Sequence, residues 1–214
     1  LDDLALYVRA LSGDEIRGLY RAGSAGKCAA RAVASCLPVP PGFAALWRGD
    51  GNLKDSSGNR NDGDTYGFTN YPVGLVDLAF QMDGTRYLTA YSGASLQCTS
   101  QCSLEAWLRP DDLSADMTVL SRITSGSLRW LSYQINVRTS GGVQFIISNG
   151  ADYDSVIAPS SVLSTGVWAH EVGTFNAGRL TLYVNGVPVA SRNSSITSLF
   201  TDGYFLVHLG GSLQ

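Results

Sequence analysis

The chain has 214 residues, of which 44% are hydrophobic and only 15% charged, with a formal net charge of −3. That balance excludes a disordered or coiled-coil chain and offers no basic surface for nucleic acid. No apolar run approaches the roughly 18 residues of a membrane-spanning helix. Glycine supplies 24 residues, and this turn-rich composition favours many short strands.

In chain order, Leu4 to Val8 reads as a strand. Ser12-Gly13-Asp14-Glu15 then forms a capping box, in which Ser12 accepts from the Glu15 amide and Glu15 reaches back. Ile16, Leu19 and Tyr20 follow at helical spacing, and Gly23 ends the turn. Residues 23–42 are a linker of small residues closing on Pro38, Pro40 and Pro41, which no helix survives. Beyond Gly42 the pattern is β throughout. Strands are expected at 76–82, 86–90, 103–109, 117–123, 129–137, 143–148, 167–175 and 204–209. The clearest local signal is 180–184 and 187–189 around Asn185-Gly186, a two-residue type I′ hairpin whose turn positions both need positive φ. Many short strands and one helix predict an all-β antiparallel sandwich or jelly roll.

Four cysteines allow three pairings. Their closeness in sequence favours Cys28–Cys36 and Cys98–Cys102, which would place the protein in a secreted, extracellular setting; the competing reading is reduced thiols in a cytosolic protein. C-x7-C and C-x3-C are poor zinc spacings.

Several motifs in order resemble a known family. Ala45-Leu46-Trp47-Arg48-Gly49-Asp50-Gly51-Asn52, followed by Asp55-Ser56-Ser57-Gly58-Asn59, resembles the opening of laminin-G-like, concanavalin A-like jelly-roll domains. Ala79-Phe80 with Asp83-Gly84 is similar to their next strand and turn. Ser103-Leu104-Glu105-Ala106-Trp107-Leu108-Arg109-Pro110 is similar to their central strand, and Trp168 to Thr174 with Leu180 to Gly186 to their hairpin. The family's closing strand and short helix are matched at the wrong end, by Asp2-Asp3-Leu4-Ala5-Leu6-Tyr7 through Leu11-Ser12 to Glu15-Ile16. The resemblance therefore divides the chain into a closing element at 1–22, a linker at 23–42 and a jelly-roll body at 43–214. It implies a circularly permuted unit cut out of phase from a tandem-repeat protein, a fragment of a larger bacterial protein. Without the closing strand the body would expose a sheet edge. That edge can be filled by residues 1–22 of the same chain, giving a monomer, or by those of a neighbour, giving a strand-swapped oligomer.

Three kinds of site follow. The resemblance implies a structural Ca²⁺ joining Asp50 of the opening loop to Asp2 of the closing strand; the competing reading of Asp50, Asn52 and Asp55 is a set of Asx-turns. A sugar-binding face is expected on a concave sheet from Glu105, Trp107, Arg109, Trp130, Gln134, Asn136 and Gln144, because strand alternation puts an indole and amide or charged groups opposite the apolar core. Its ligand would be a glycan or cell-surface polysaccharide. Catalysis is the weaker alternative. A glycosidase needs two carboxylates facing one bond, and Glu105 and Glu171, with His170, are the candidates. A polysaccharide lyase could draw on His170, Arg109, Gln134 and Tyr133. His208 sits in a Leu/Val strand as a core or edge histidine. Asn193-Ser194-Ser195 is a glycosylation sequon of low specificity. The leading expectation is a non-catalytic carbohydrate-binding or adhesion module of a secreted multidomain protein. A hydrolase or lyase in the same groove, or a strand-swapped interaction module, is the alternative.

Overall fold

Alternation of apolar and polar residues over short segments produces strands that bury one face, and this chain carries thirteen of them among its described residues. The computed structural model describes residues 1–27, 36–66, 70–83, 87–91, 93–123, 131–201 and 206–210. In order, the elements are β1 (Asp2–Tyr7), α1 (Gly13–Ala22), β2 (Phe43–Trp47), β3 (Gly63–Tyr66), β4 (Tyr87–Tyr91), β5 (Gln101–Leu108), β6 (Met117–Ile123) and β7 (Leu131–Arg138). There follow β8 (Gly142–Ser148), β9 (Tyr153–Ala158), β10 (Ala169–Asn176), β11 (Arg179–Val184), β12 (Val187–Asn193) and β13 (Leu206–Leu209). A six-stranded sheet runs β12-β11-β10-β5-β1-β2, and a seven-stranded sheet runs β3-β4-β13-β6-β7-β8-β9. All of the pairings are antiparallel. The main core lies between the sheets, with Leu104, Ala106 and Leu108 of β5 facing Tyr133, Ile135, Phe145 and their neighbours. Gly173 of β10 is needed there, because a Cβ would stand 2.7 Å from the Phe145 ring.

β1 is a central strand. It pairs with β2 on one side and β5 on the other, in its own chain. A strand in that place must be apolar on both faces. Leu4 and Leu6 enter the main core, while Ala5 and Tyr7 enter a second cluster with Ile16, Leu19, Leu46 and Val172. Helix α1 begins at the expected capping box, with Glu15 N donating to Ser12 Oγ at 3.3 Å and Ser12 N donating to Glu15 at 2.8 Å. It lays Ile16 and Leu19 on the outer side of the six-stranded sheet. Burying such side chains contributes about 1.5–3 kcal/mol each.

The segment expected as a linker, residues 23–42, is in part built structure. Tyr7 lies opposite Phe43, so residues 8–42 are an excursion between two adjacent antiparallel strands. Lys27 bridges Leu37, Leu37 N donates to Gly26 O at 3.1 Å, and Leu37 and Val39 pack on the second cluster. Cys98 and Cys102 are disulfide-bonded, as is Cys36, whose expected partner Cys28 lies outside the described residues. The Asn185-Gly186 hairpin forms with φ of 52° and 76°. The strand expected at 76–82 does not form. That segment carries only an isolated Val73–Leu78 bridge and is held by side chains instead of a ladder.

Candidate functional site

On β5, Ser103, Glu105 and Trp107 point away from the main core. That face is not open. Tyr20 of α1 stacks on Trp107 with ring centroids 5.8 Å apart, and Trp107 in turn packs on His170 at 4.9 Å. Trp107 is 6% exposed and Glu105 1%.

Beneath this cover lies a fully buried polar network. Glu105 Oε2 accepts from the Tyr7 hydroxyl at 3.0 Å, and Oε1 accepts from His170 Nε2 at 2.9 Å. Lys27 Nζ stands 3.0 Å from Glu105 Oε1 and 3.4 Å from Asp3 Oδ2. Arg48 closes the group, 3.8 Å from Asp3 Oδ1 and donating to the Lys27 carbonyl at 2.7 Å. Burial pushes the Glu105 carboxyl up, but the Lys27 charge and the His170 hydrogen bond outweigh it and hold the group at about 2. Burial likewise pushes Lys27 down, and the Asp3 and Glu105 carboxylates reverse this and raise it. Sequence reading missed Lys27 and Asp3. Their only signal was a lysine and an aspartate in otherwise small-residue and strand segments.

Of the candidate catalytic residues, Glu105 and His170 meet, but the two carboxylates do not converge. Glu171 pairs with Ala106 and Val184, both in the main core, so its carboxyl points between the sheets. Neither oxygen has a hydrogen-bond partner, and burial raises its pKa well above the ordinary value. Glu105 opens on the other side of the sheet, and no single glycosidic bond can meet both. The lyase set is scattered too. Tyr133 faces the core and donates to Leu96 O at 2.9 Å, Gln134 is on the seven-stranded sheet, and His170 is under α1. Arg109 lies just past β5, over the Trp168 ring at 5.7 Å.

The expected sugar-binding residues divide between two surfaces, because β5 and the β7–β8 pair belong to different sheets. Glu105 and Trp107 are closed in as described. Gln134, Asn136 and Gln144 lie on the outer face of the seven-stranded sheet, and Trp130 lies outside the described residues. On that outer face the register builds a transverse row, Thr89–His208–Ser121–Gln134–Ile146–Ser155, across six strands. His208 sits between the core residues Val207 and Leu209, which turns its ring outward. Its Nε2 and the adjacent Ser121 Oγ are buried and have no hydrogen-bond partner. Gln134 donates to Asn136 at 2.7 Å and Thr118 at 3.2 Å, and Arg138 donates to Gln144 at 3.1 Å. Burial lowers the His208 pKa, so the ring is neutral at pH 7 and carries one donor and one acceptor nitrogen.

The residues expected to hold Ca²⁺ clasp a loop. Asp2 Oδ2 accepts from Leu75 N and Val76 N, each at 2.9 Å, and Asp50 Oδ1 accepts from Leu78 N at 3.2 Å. Gly74 admits this approach, since a Cβ there would stand 2.6 Å from Asp2 Oδ2. Burial lifts Asp2 to about 7 and raises Asp50 as well. Asn52 and Asp55 make Asx-type bonds, to Lys54 N and Ser57 N. Ca²⁺ takes six to eight oxygen ligands. Among the described residues no three acidic, His or Cys side chains are grouped to hold a metal, and amide donors already occupy the oxygens of Asp2 and Asp50 named above. Asp2 Oδ1, in contrast, is buried without a hydrogen-bond partner.

Two antiparallel sheets stacked on one core, with this strand order, define a jelly-roll β-sandwich. Residues 82–213 match the laminin G family described as the concanavalin A-like lectin/glucanases superfamily, and the chain belongs to it. Among solved structures it is similar to domain 4 of AbnA, a GH43 extracellular arabinanase from Geobacillus stearothermophilus, in complex with arabinotriose. The identity is 19%, over 78% of this chain and 81% of that one, with a TM-score of 0.60. The binding domain of Paraclostridial Mosquitocidal Protein 1 is similar at 14% identity, over 83% of this chain, with a TM-score of 0.62. The binding domain of botulinum neurotoxin DC in complex with SialylT is similar at 12% identity, over 76% of this chain, with a TM-score of 0.53. The chain spans 44% of the length of each of the latter two. At these identities the likeness is one of fold. No curated protein matches the sequence. No described helix is long and apolar enough to cross a membrane.

Proposed function

We propose that this domain is a non-catalytic carbohydrate-binding or adhesion module of a secreted protein, taking a glycan on the outer face of its seven-stranded sheet. The observation that carries the reading is the group of amides on that face, where Gln134, Asn136 and Gln144 keep 8–9% exposure while His208 and Ser121, about 1% exposed, lie beneath the surface. Amides both donate and accept, as sugar hydroxyls do, and a few convergent polar groups fix orientation in such sites. Two of the similar folds were solved with arabinotriose and with SialylT, which favours a sugar over other polar ligands. The Cys98–Cys102 disulfide favours an oxidising, extracellular setting.

The test is a glycan-array screen of the purified chain beside its Gln134→Ala and Asn136→Ala variants. A saturable hit is expected, and it should be lost in these variants while their melting temperatures stay near that of the parent. A blank array rejects the glycan reading. A hit that both variants keep rejects this face as its site.

A further inference from the structure

The buried Lys27–Asp3–Glu105 group has a use beyond charge pairing. We propose that Lys27 and Asp3 condense into an intramolecular isopeptide bond, with Glu105 holding the Lys27 nitrogen and moving the proton that the addition intermediate must lose. Nζ of Lys27 lies 3.4 Å from Asp3 Oδ2 and 3.0 Å from Glu105 Oε1, and the three side chains are at most 3% exposed. An amine and a carboxyl fixed at this range in a water-excluded site react as one unit, where effective molarities reach roughly 10⁵–10⁸ M. The surroundings hold them there. Gly26, at φ +63°, turns the chain so that Lys27 enters the fold, and Leu37 and Arg48 tie its backbone.

The two carboxyls have different parts. Glu105 receives Tyr7, His170 and Lys27 together, which stabilises its anion and makes it a poor electrophile. Asp3 Oδ1 has no hydrogen bond and faces the Arg48 guanidinium at 3.8 Å, where negative charge can develop. The Lys27 ammonium first passes a proton directly to Asp3 Oδ2, to which it is hydrogen-bonded at 3.4 Å. The free amine attacks Asp3 Cγ, the C–N bond forms, and the carbonyl electron pair moves onto Oδ1 beside Arg48. Glu105 then moves a second proton from nitrogen to Oδ2, the Cγ–Oδ2 bond breaks, water leaves and the carbonyl re-forms. Ammonium and carboxylate become amide and water, Glu105 ends as it began, and no oxidant or co-reactant is needed. The product welds β1 to the segment beyond α1, so that the central strand cannot be drawn out of the sheet alone.

Intact-mass spectrometry of the reduced, denatured chain tests this. The expected mass is lighter than the sequence by one water. Trypsin should fail to cut after Lys27 and should release a branched peptide joining Asp3 to Lys27. Lys27→Arg keeps the buried cation but removes the amine nucleophile, and Glu105→Gln removes the proton carrier; each should restore the full mass. A parent chain at full mass overturns the proposal and leaves an ion-pair clamp. A water loss confined to one linear peptide containing Asp3 also overturns it, as an internal imide.

Discussion

Glu105 and Glu171 lie on directly paired strands, one register step apart, and their carboxyls open on opposite sides of the same sheet. One is surrounded by donors and the other by hydrocarbon. The same residue type is thereby driven in opposite directions, with Glu105 held at about 2 and Glu171 raised well above its ordinary value of 4.5. The pair cannot share a substrate, but it shapes how the fold responds to pH.

For Glu171 the folded state keeps its proton after the unfolded chain has lost its own. Unfolding then releases a proton, and stability falls as pH rises above 4.5. Glu171→Leu removes both the titration and two unpartnered buried oxygens. It is expected to stabilise the domain at pH 8 by about 1–3 kcal/mol, and by less at pH 4. Urea unfolding at the two pH values checks this; equal effects at both would show that the fold leaves the Glu171 carboxyl at its ordinary value. Glu105 runs the other way. Its contribution is present above 4.5 and lost as pH falls toward about 2.

Trp107 and Gln134 separate packing from binding. Trp107 lies between Tyr20 and His170 under α1, so Trp107→Ala should cost about 3–5 kcal/mol. Any glycan affinity measured on the remaining folded fraction should be unchanged. Gln134→Ala, on the opposite sheet, should reverse the pattern. Thermal melts paired with titration of whichever glycan the array returns decide between the two.

The start of α1 offers a smaller, cleaner change. Ser12 caps the helix through a reciprocal pair with Glu15, whose carboxyl also accepts from Arg9 at 3.0 Å. Ser12→Ala should lower stability by about 1 kcal/mol, read as a shift of the urea midpoint without a change of slope.

What the residues disclosed in advance follows from the range of the forces involved. The capping box, the Asn185-Gly186 turn and the alternation of β5 are local, and each formed as written. The partition of strands between sheets is not local. Glu105 and Gln134 both read as outward-facing polar positions, and nothing in their segments says that they look out of opposite sides of the sandwich. The same holds for Glu171, whose strand alternation is compatible with either face until its partners Ala106 and Val184 are known. Lys27 was illegible for another reason. A lone lysine in a Gly/Ala-rich segment reads as solvated, and only the return of the chain to Leu37 brings it under Arg48 and onto Asp3.

The loop at 74–78 gives the last prediction. Asp2 and Asp50 reach it from different elements and accept its amides, and Gly74 leaves the room for Asp2 to do so. If carboxylates spent on amides are the whole connection, neither Ca²⁺ nor EDTA should move the melting temperature beyond the effect of matched ionic strength. A Ca²⁺-dependent rise would mean that further oxygen ligands join Asp2 and Asp50. Gly74→Ala should cost more than Asp2→Ala, because the added methyl meets the Leu78 backbone at 2.8 Å as well as the Asp2 carboxyl at 2.6 Å, and the two changes together should cost less than their sum, since the loss of the Asp2 contacts is shared. Asp2→Asn should behave differently. Asn keeps the acceptor oxygen, while Asp2 itself, lifted to about 7 by burial, makes stability fall as pH rises from 3.8 toward that value. The Asn variant should therefore lose that slope, match the parent near pH 4, and exceed it at pH 8, with the Gly74→Ala variant below both throughout.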